Sequence, residues 1–165
     1  MITNLKLGFM QGRLSAPIES KIQAFPPDTW KNEFDLGQKL GFTCMEWIFE
    51  VPNMDRNPLY TDLGIEEIKK AKKEFGISIN SVVADYFMEK LLFGEKEVQE
   101  NIEMLKLLIR QCKKAEIPIV EIPFVDNSAI LEVHAQNQVI KNLRGPIKYA
   151  CLLYTSDAAD EEDSV

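Results

Sequence analysis

The stretch TCMEWIFE, residues 43–50, decides how the fold of this chain is interpreted. Its β-branched, aromatic and aliphatic side chains predict a buried β-strand, yet Glu46 stands in the middle of it. A strand buried in a parallel sheet should be almost continuously apolar, so this carboxylate has to face a polar environment. Alternate residues share a face, which puts Glu46 with Ile48 and Glu50, and in a closed barrel that face is the interior. The alternative is an exposed edge strand.

A second segment repeats this pattern further along the chain. VEIPF, residues 120–124, also carries an acid, Glu121, inside an apolar run. We expect both carboxylates to point into a barrel, either toward a ligand or toward inward-facing basic or amide groups that satisfy them.

Strands and helices alternate along most of the sequence. Strands are predicted over residues 5–11, 43–50, 77–85 and 117–125; helices are predicted over 29–40, 65–75 and 95–115, with one or two helical pieces in 131–150. Asp28 is the predicted N-cap of the first helix, and Gly41 and Gly76 end the first two helices. This alternation predicts right-handed βαβ units and a parallel sheet with flanking helices, an α/β protein.

The composition is that of an ordinary globular chain, with 45% apolar and 27% charged residues. The formal net charge of -7 argues against a nucleic-acid partner, which would need a basic face. No apolar run reaches the roughly 20 residues of a membrane span and no secretory signal is present, so we expect a cytoplasmic protein without a membrane partner. Cys44, Cys112 and Cys151 fit neither a disulfide framework nor a zinc site and are predicted to be small buried side chains.

The C-terminal residues 151–165, CLLYTSDAADEEDSV, have an unusual explanation. Reverse translation of residues 151–161 permits the sequence of a transposase adapter used to prepare sequencing libraries. We therefore expect a non-native, disordered tail at 151–165, with residues 1–150 as the N-terminal half of a longer barrel. Without the tail the chain has 21 acidic and 19 basic residues, a net charge of -2. The alternative is a genuine acidic extension.

Motifs spread over residues 5–130 together resemble one family. They are LGFMQGRL (7–14), IQAFP (22–26) before Trp30, LGF (40–42) leading to MEWIFE (45–50), ADYFM (84–88) and IPFVDNS (122–128). In this order they are similar to the N-terminal part of sugar phosphate isomerase/epimerase proteins of the xylose-isomerase-like TIM-barrel superfamily.

The resemblance implies a (β/α)₈ TIM barrel, here truncated to about four N-terminal βα units, with its active site at the carboxyl ends of the strands. Members hold Mn²⁺, Mg²⁺ or Zn²⁺ through two Glu, an Asp and a His, and move a proton between adjacent carbons through an enediolate. Those ligands belong to the fifth to eighth strands, so a divalent metal is expected in the full-length parent only. We expect no catalytic or metal-binding residue in this chain, and His134 is predicted to be a surface side chain.

What remains is the wall of the site formed by the first four strands. The candidate substrate-binding residues are Gln11, Arg13, Glu46, Glu50, Asp85, Tyr86, Glu121, Asp126 and Asn127. The guanidinium of Arg13 suits a phosphate or carboxylate, unless it forms a salt bridge across the barrel mouth, and the other groups suit sugar hydroxyls.

The predicted function is that of a fragment of a metal-dependent sugar or sugar-phosphate isomerase/epimerase, inactive as it stands. One alternative is a complete flavodoxin-like module that binds a small molecule without catalysis, although no phosphate-binding glycine loop supports it. Another is an endonuclease-type member of the same superfamily, which the lack of a basic excess disfavours. A half barrel leaves open edges at its first and fourth strands, so we also expect self-association.

Overall fold

The structure is a computed structural model that describes residues 6–18, 20–21 and 23–160, and side chains up to residue 154. Its strands are β1 (Gly8–Met10), β2 (Cys44–Ile48), β3 (Ser78–Val83) and β4 (Val120–Glu121). Its helices are α1 (Trp30–Lys39), α2 (Asp62–Phe75), α3 (Tyr86–Glu89), α4 (Val98–Lys114) and α5 (Val133–Asp160). The predicted alternation of strand and helix is confirmed.

The four strands form one parallel sheet in the order β1-β2-β3-β4. Each strand therefore lies beside its neighbour in sequence, as in a TIM barrel. A flavodoxin-like sheet places its first strand inside the order, between the second and third, so the predicted flavodoxin-like alternative is wrong for this fold.

One face of the sheet packs against the helices. On β2, Met45 and Trp47 are almost completely buried, and the Trp47 ring lies 5.5 Å from Trp30 and 6.4 Å from Phe34 of α1, measured between ring centroids. Aromatic rings at these separations pack in edge or tilted geometry and contribute beyond their buried area. Because neighbouring residues of a strand point to opposite faces, Glu46 belongs to the other face.

That other face carries Glu46, and the pairing of β2 with β3 contains a β-bulge there. Cys44 and Met45 pair with Ser78 and Ile79, but Glu46 pairs with Ser81, so Asn80 is the extra residue on β3. The Ser81 hydroxyl donates a hydrogen bond to Glu46 Oε1 at 2.7 Å. The prediction that Glu46 faces away from the helical layer is thus in agreement with the register.

Several boundaries differ from the expectations. The N-cap of α1 is Thr29 and not Asp28, whose side chain instead forms an ion pair with Arg56. β4 has two residues where nine were predicted; at its C-terminal end, Pro123 has no backbone N–H to donate to β3. The four-residue helix α3, directly after β3, was not predicted. Gly76 ends α2 in the left-handed conformation as expected.

Helix α5 continues through the predicted boundary at residue 150. Residues 151–160 are helical, whereas the sequence alone predicts disorder there. The helix is held at this point by Tyr154, whose hydroxyl donates to the carbonyl of Ile117 at 3.0 Å. Cys151 on this segment is exposed, so the prediction of three buried cysteines is correct only for Cys44 and Cys112.

Among the residues that the structure describes, no helix combines the length and the apolar character that a bilayer crossing requires.

Candidate functional site

The loop after β1 is fixed by a carboxylate from the first helix. Glu33 of α1 is completely buried, and its two oxygens each accept a backbone hydrogen bond at 3.0 Å, one from Gly12 and one from Leu14. Burial raises the pKa of Glu33, and these backbone N–H groups oppose the rise. Gly12 has φ +84° and a Cβ there would lie 2.4 Å from the carbonyl oxygen of Ala24, so only glycine fits.

Gln11 and Arg13 occupy this loop with different environments. Gln11 is completely buried; its Oε1 accepts from the backbone N–H of Ile48 at 3.0 Å. Its Nε2 has no partner among the described residues. Gln11 therefore links the end of β1 to β2. This predicted substrate-binding residue makes a structural contact here. Arg13 is exposed and makes no side-chain hydrogen bond or ion pair within the described ranges.

The same loop continues over the ends of the next two strands. Gln23 Nε2 donates to Asp85 Oδ2 at 2.8 Å, just after β3. The backbone N–H of Phe25 donates to Glu50 Oε1 at 2.7 Å, just after β2. Glu50 is buried and Asp85 half-buried. These two predicted site residues consequently hold the loop in place as well as bordering the site.

Two carboxyls that follow the strands, Asp85 and Glu50, have a raised pKa. Burial raises the pKa of Asp85, Gln23 opposes the rise, and the negative charges of Glu121 and Glu46 add to it. Burial likewise raises the pKa of Glu50; the Phe25 N–H and Lys21 oppose this, and the charges of Asp85 and Glu89 add to it. We call Glu46, Glu50, Asp85 and Glu121 the acidic group. All four are predicted site residues that the fold brings together.

The remaining predicted residues, Tyr86, Asp126 and Asn127, differ from one another in their surroundings. Tyr86 is buried, with its ring centroid 5.8 Å from that of Phe49 and 5.2 Å from that of Phe87, and burial raises its pKa. Its surroundings are those of a core residue. Asp126 and Asn127 are exposed in a short 3₁₀ turn after β4.

A metal ion needs several His, Cys, Asp or Glu ligands close together. Among the residues that the structure describes, no group of three or more His, Cys, Asp or Glu side chains has an arrangement able to hold a metal ion. His134 is exposed on the first turn of α5, as predicted.

Two site residues were not predicted as such. Glu33 lies on a helix among other charged residues, which is typical of a solvated position, and Gln23 is a polar residue in a long loop. Their roles depend on contacts with residues 19 to 62 positions away, which local patterns do not reveal.

Comparisons with known proteins were made by sequence and by structure. No family model matches the chain, and no curated protein sequence matches it. By structure it is similar to a crystal structure of D-psicose 3-epimerase with D-tagatose from Clostridium cellulolyticum H10, with a TM-score of 0.64 and 16% sequence identity. The match covers 88% of this chain and 49% of that chain, so this chain spans about half the length of the structure it matches.

These comparisons bear on the fold. The protein is an α/β chain with a four-stranded parallel sheet and flanking helices, and this fold matches part of a TIM barrel. The fold class predicted from the sequence is confirmed.

Proposed function

We propose that this chain supplies the carbohydrate-binding wall of a sugar isomerase or epimerase. One observation carries the proposal: the parallel register places Glu46 of β2 beside Ser81 and Glu121 of β4 beside Val83 of the strand between them, and Asp85 follows that strand two residues later. Active sites of TIM barrels lie at the carboxyl ends of the strands, where Asp85 stands. The structural similarity to D-psicose 3-epimerase supports a monosaccharide as the ligand class.

The acidic group has the chemistry that a sugar requires. Each ionised carboxylate accepts hydrogen bonds only, and sugar hydroxyls donate them. Burial raises the pKa of Asp85 and of Glu50, so these two carboxyls retain protons more readily than exposed ones, and either can serve as donor to a ring or carbonyl oxygen. We assign these residues to binding, and we place the proton-transfer residues of the reaction on the remainder of a longer barrel.

A metal ion is a separate part of the proposal. The described residues of this chain do not fit a divalent metal, since they contain no suitable cluster. The divalent ion belongs, in our proposal, to ligands carried by the full-length parent, where it would polarise a sugar carbonyl and hydroxyl.

We further propose that residues 1–150 are the N-terminal half of that parent and that residues 151–165 are a translated sequencing adapter. The half-length match to the epimerase structure supports the first statement, and the reverse translation of residues 151–161 supports the second. Sequencing the source gene across codon 150 tests both. Independent reads that retain CLLYTSDAADE in frame would overturn the adapter origin.

The binding role is testable on the chain itself. We expect D-tagatose and D-psicose to shift the amide resonances of residues at the strand ends in a titration followed by NMR, with the weak affinity of an incomplete site. Asp85→Asn keeps the size of the side chain and its acceptor for Gln23, yet removes one carboxylate charge, and we expect it to weaken binding. Asp55→Asn, on an exposed 3₁₀ turn, is the matched control. Shifts that are unaffected by Asp85→Asn would contradict the proposal.

A further inference from the structure

Both edges of the sheet are open. Within the described ranges, β1 pairs only with β2 and β4 pairs only with β3, so each of these two strands has one side without a neighbour. An edge strand presents unpaired N–H and C=O groups that can pair with another chain. A TIM barrel closes with eight parallel strands, and the four strands of this chain match part of one. The closed barrel therefore has room for four further parallel strands between β4 and β1.

The β4 edge borders an apolar groove. The groove has a volume of about 340 Å³, and its walls include Val120 of β4, Ile109 of α4 and Ile147 of α5. Ile147 is 58% exposed, so this wall is open to an incoming side chain. Because Val120 and Glu121 point to opposite faces of the strand, the groove belongs to the helical layer and Glu121 to the other face.

The β1 edge presents an apolar side chain in the same layer. Leu7 continues the pairing of β1 with β2, since its carbonyl accepts from the backbone N–H of Thr43 at 3.1 Å, and it is 58% exposed. Phe9 faces α1, because a Cβ at Gly37 of that helix would lie 2.7 Å from its ring. Leu7, two residues earlier, shares this face. An exposed leucine at one edge and an open apolar groove at the other edge thus lie in one layer.

The exposed charges beside the two edges have opposite signs. At the carboxyl end of the sheet, Arg13 follows β1, whereas Glu121 and Asp126 lie on and after β4, and all three are exposed. Contact between the β4 edge of one chain and the β1 edge of another brings unlike charges to the same end of the sheet. Contact between two β4 edges would bring acids together, and like charges disfavour a wrong partner.

We propose that two copies of this chain close one eight-stranded barrel. Strand β4 of each copy lies beside and parallel to β1 of the other, and a two-fold axis runs along the barrel axis. In each of the two edge contacts, Leu7 of one copy enters the groove of the other. In the 165-residue chain, the second copy thus takes the place that the rest of a longer barrel would occupy.

This arrangement limits the assembly and completes the site. The edge contact is head to tail, and because a half-turn closes it, association stops at two copies. The acidic groups of both copies then border one barrel mouth, so each copy supplies half of the ring of strand ends. The inference concerns the assembly and does not depend on which ligand the barrel binds.

The first experiment measures the size of the assembly. Sedimentation velocity and native mass spectrometry of the 165-residue chain, over a hundredfold range of concentration, should give monomer and dimer only. A monomer at every concentration would overturn the inference. A continuing series of larger oligomers would overturn it as well, because that series is the sign of a contact that does not close.

Variants then identify the surfaces in contact. Each edge contact contains one β1 edge and one groove, so either Leu7→Glu or Ile147→Lys alters both contacts of the dimer. Each should weaken dimerisation about tenfold or more, because a charge is then placed in an apolar contact. Leu63→Glu, at a position on α2 that is 84% exposed, is the matched control and should leave dimerisation unchanged. A dimer that Leu7→Glu leaves intact would show that β4 edges pair with one another, which contradicts the proposal.

A mixture of the two weakened variants gives the sharpest test. In a dimer of Leu7→Glu with Ile147→Lys, one edge contact has native residues on both sides, and the other sets the introduced acid against the introduced lysine. Mixed dimers should therefore exceed the statistical proportion in native mass spectrometry, which distinguishes them by mass. A statistical or smaller proportion, with both variants folded by circular dichroism, overturns the proposal.

A second variant tests the β1 edge without changing the apolar contact. Arg13→Glu replaces the exposed cation of this edge by an acid on the side that Glu121 and Asp126 approach. We expect weaker dimerisation at low salt and a smaller difference from the unsubstituted chain at high salt, since salt screens exposed charges. Unchanged dimerisation at low salt would contradict the pairing of β1 with β4.

Discussion

The side chain of Asn57 accepts a hydrogen bond from the indole of Trp47 inside the core, with 3.0 Å between Asn57 Oδ1 and Trp47 Nε1. The same oxygen accepts from the backbone N–H of Leu59, and Nδ2 donates to the carbonyl of Ile48. Asn57 is 2% exposed. One amide thus connects β2, the loop that follows it and the aromatic cluster under α1.

Replacing Asn57 should destabilise the chain strongly. Asn57→Ala leaves an indole N–H, a backbone N–H and a carbonyl without partners in a buried place, and each unpaired group costs about 1–3 kcal/mol. We expect a loss of at least ~3 kcal/mol in the free energy of unfolding, measured by urea denaturation with tryptophan fluorescence. Asn32→Ala, exposed on α1, should change it by less than ~0.5 kcal/mol. Equal losses in the two variants would refute this account.

Two glycines with the same backbone conformation allow the effects of strain and of crowding to be separated. Gly12 and Gly41 both have φ +84°, but a Cβ at Gly41 meets nothing within 4 Å, whereas at Gly12 it meets the Ala24 carbonyl oxygen. Gly41→Ala should cost about 1 kcal/mol from backbone strain alone. Gly12→Ala should cost clearly more, by ~1–3 kcal/mol, because the loop has to move. Thermal unfolding of both variants measures the difference, and a similar cost for the two would be the contrary result.

The half-buried acid Asp85, which follows β3, should make stability depend on pH. The pKa of Asp85 is raised on folding, so the native state binds more protons than the unfolded state in the range upward from the ordinary value of 3.8. Its contribution to stability is therefore present at low pH and declines as pH rises from about 3.8 through the folded pKa. We expect the stability of Asp85→Asn relative to the unsubstituted chain to increase from pH 4 to pH 7. Parallel urea titrations at these pH values measure it; Asp55→Asn should show no such trend.

Self-association should follow from where the exposed apolar side chains lie. Most of those in the described ranges belong to the fourth βα unit, whose strand β4 is the last in the sheet order: Ile119, Val125, Leu131, Val133, Ile140, Ile147, Leu152 and Tyr154. A concentrated apolar surface favours association. We expect concentration-dependent sedimentation that Ile147→Glu reduces and that Leu63→Glu, an isolated exposed position on α2, does not. A stable monomer at all concentrations would speak against it.

The local elements were largely predictable because their signals are local. Helix spacing and Gly76 defined α2, and the acids within apolar runs located Glu46 and Glu121. The short extent of β4 was not predictable from its apolar content, since strand length depends on which backbone groups find a partner. The burial of Glu33 was hidden for a related reason: it exists only because a loop about 20 residues earlier in the chain folds back onto α1.

The extra residue at Asn80 decides which side chains reach the carboxylate side of the sheet. Up to Ile79 the strands β2 and β3 are paired one to one, and beyond it β3 runs one residue ahead. If the present sequence continued one to one without the bulge, Asn80 would pair with Glu46, and the side chains of Val82 and Val83 would exchange faces relative to β2. The Ser81 hydroxyl that binds Glu46 and the burial of these two valines therefore depend on the same bulge. A slip of β3 by one residue beyond Ile79 would turn that part of the strand inside out.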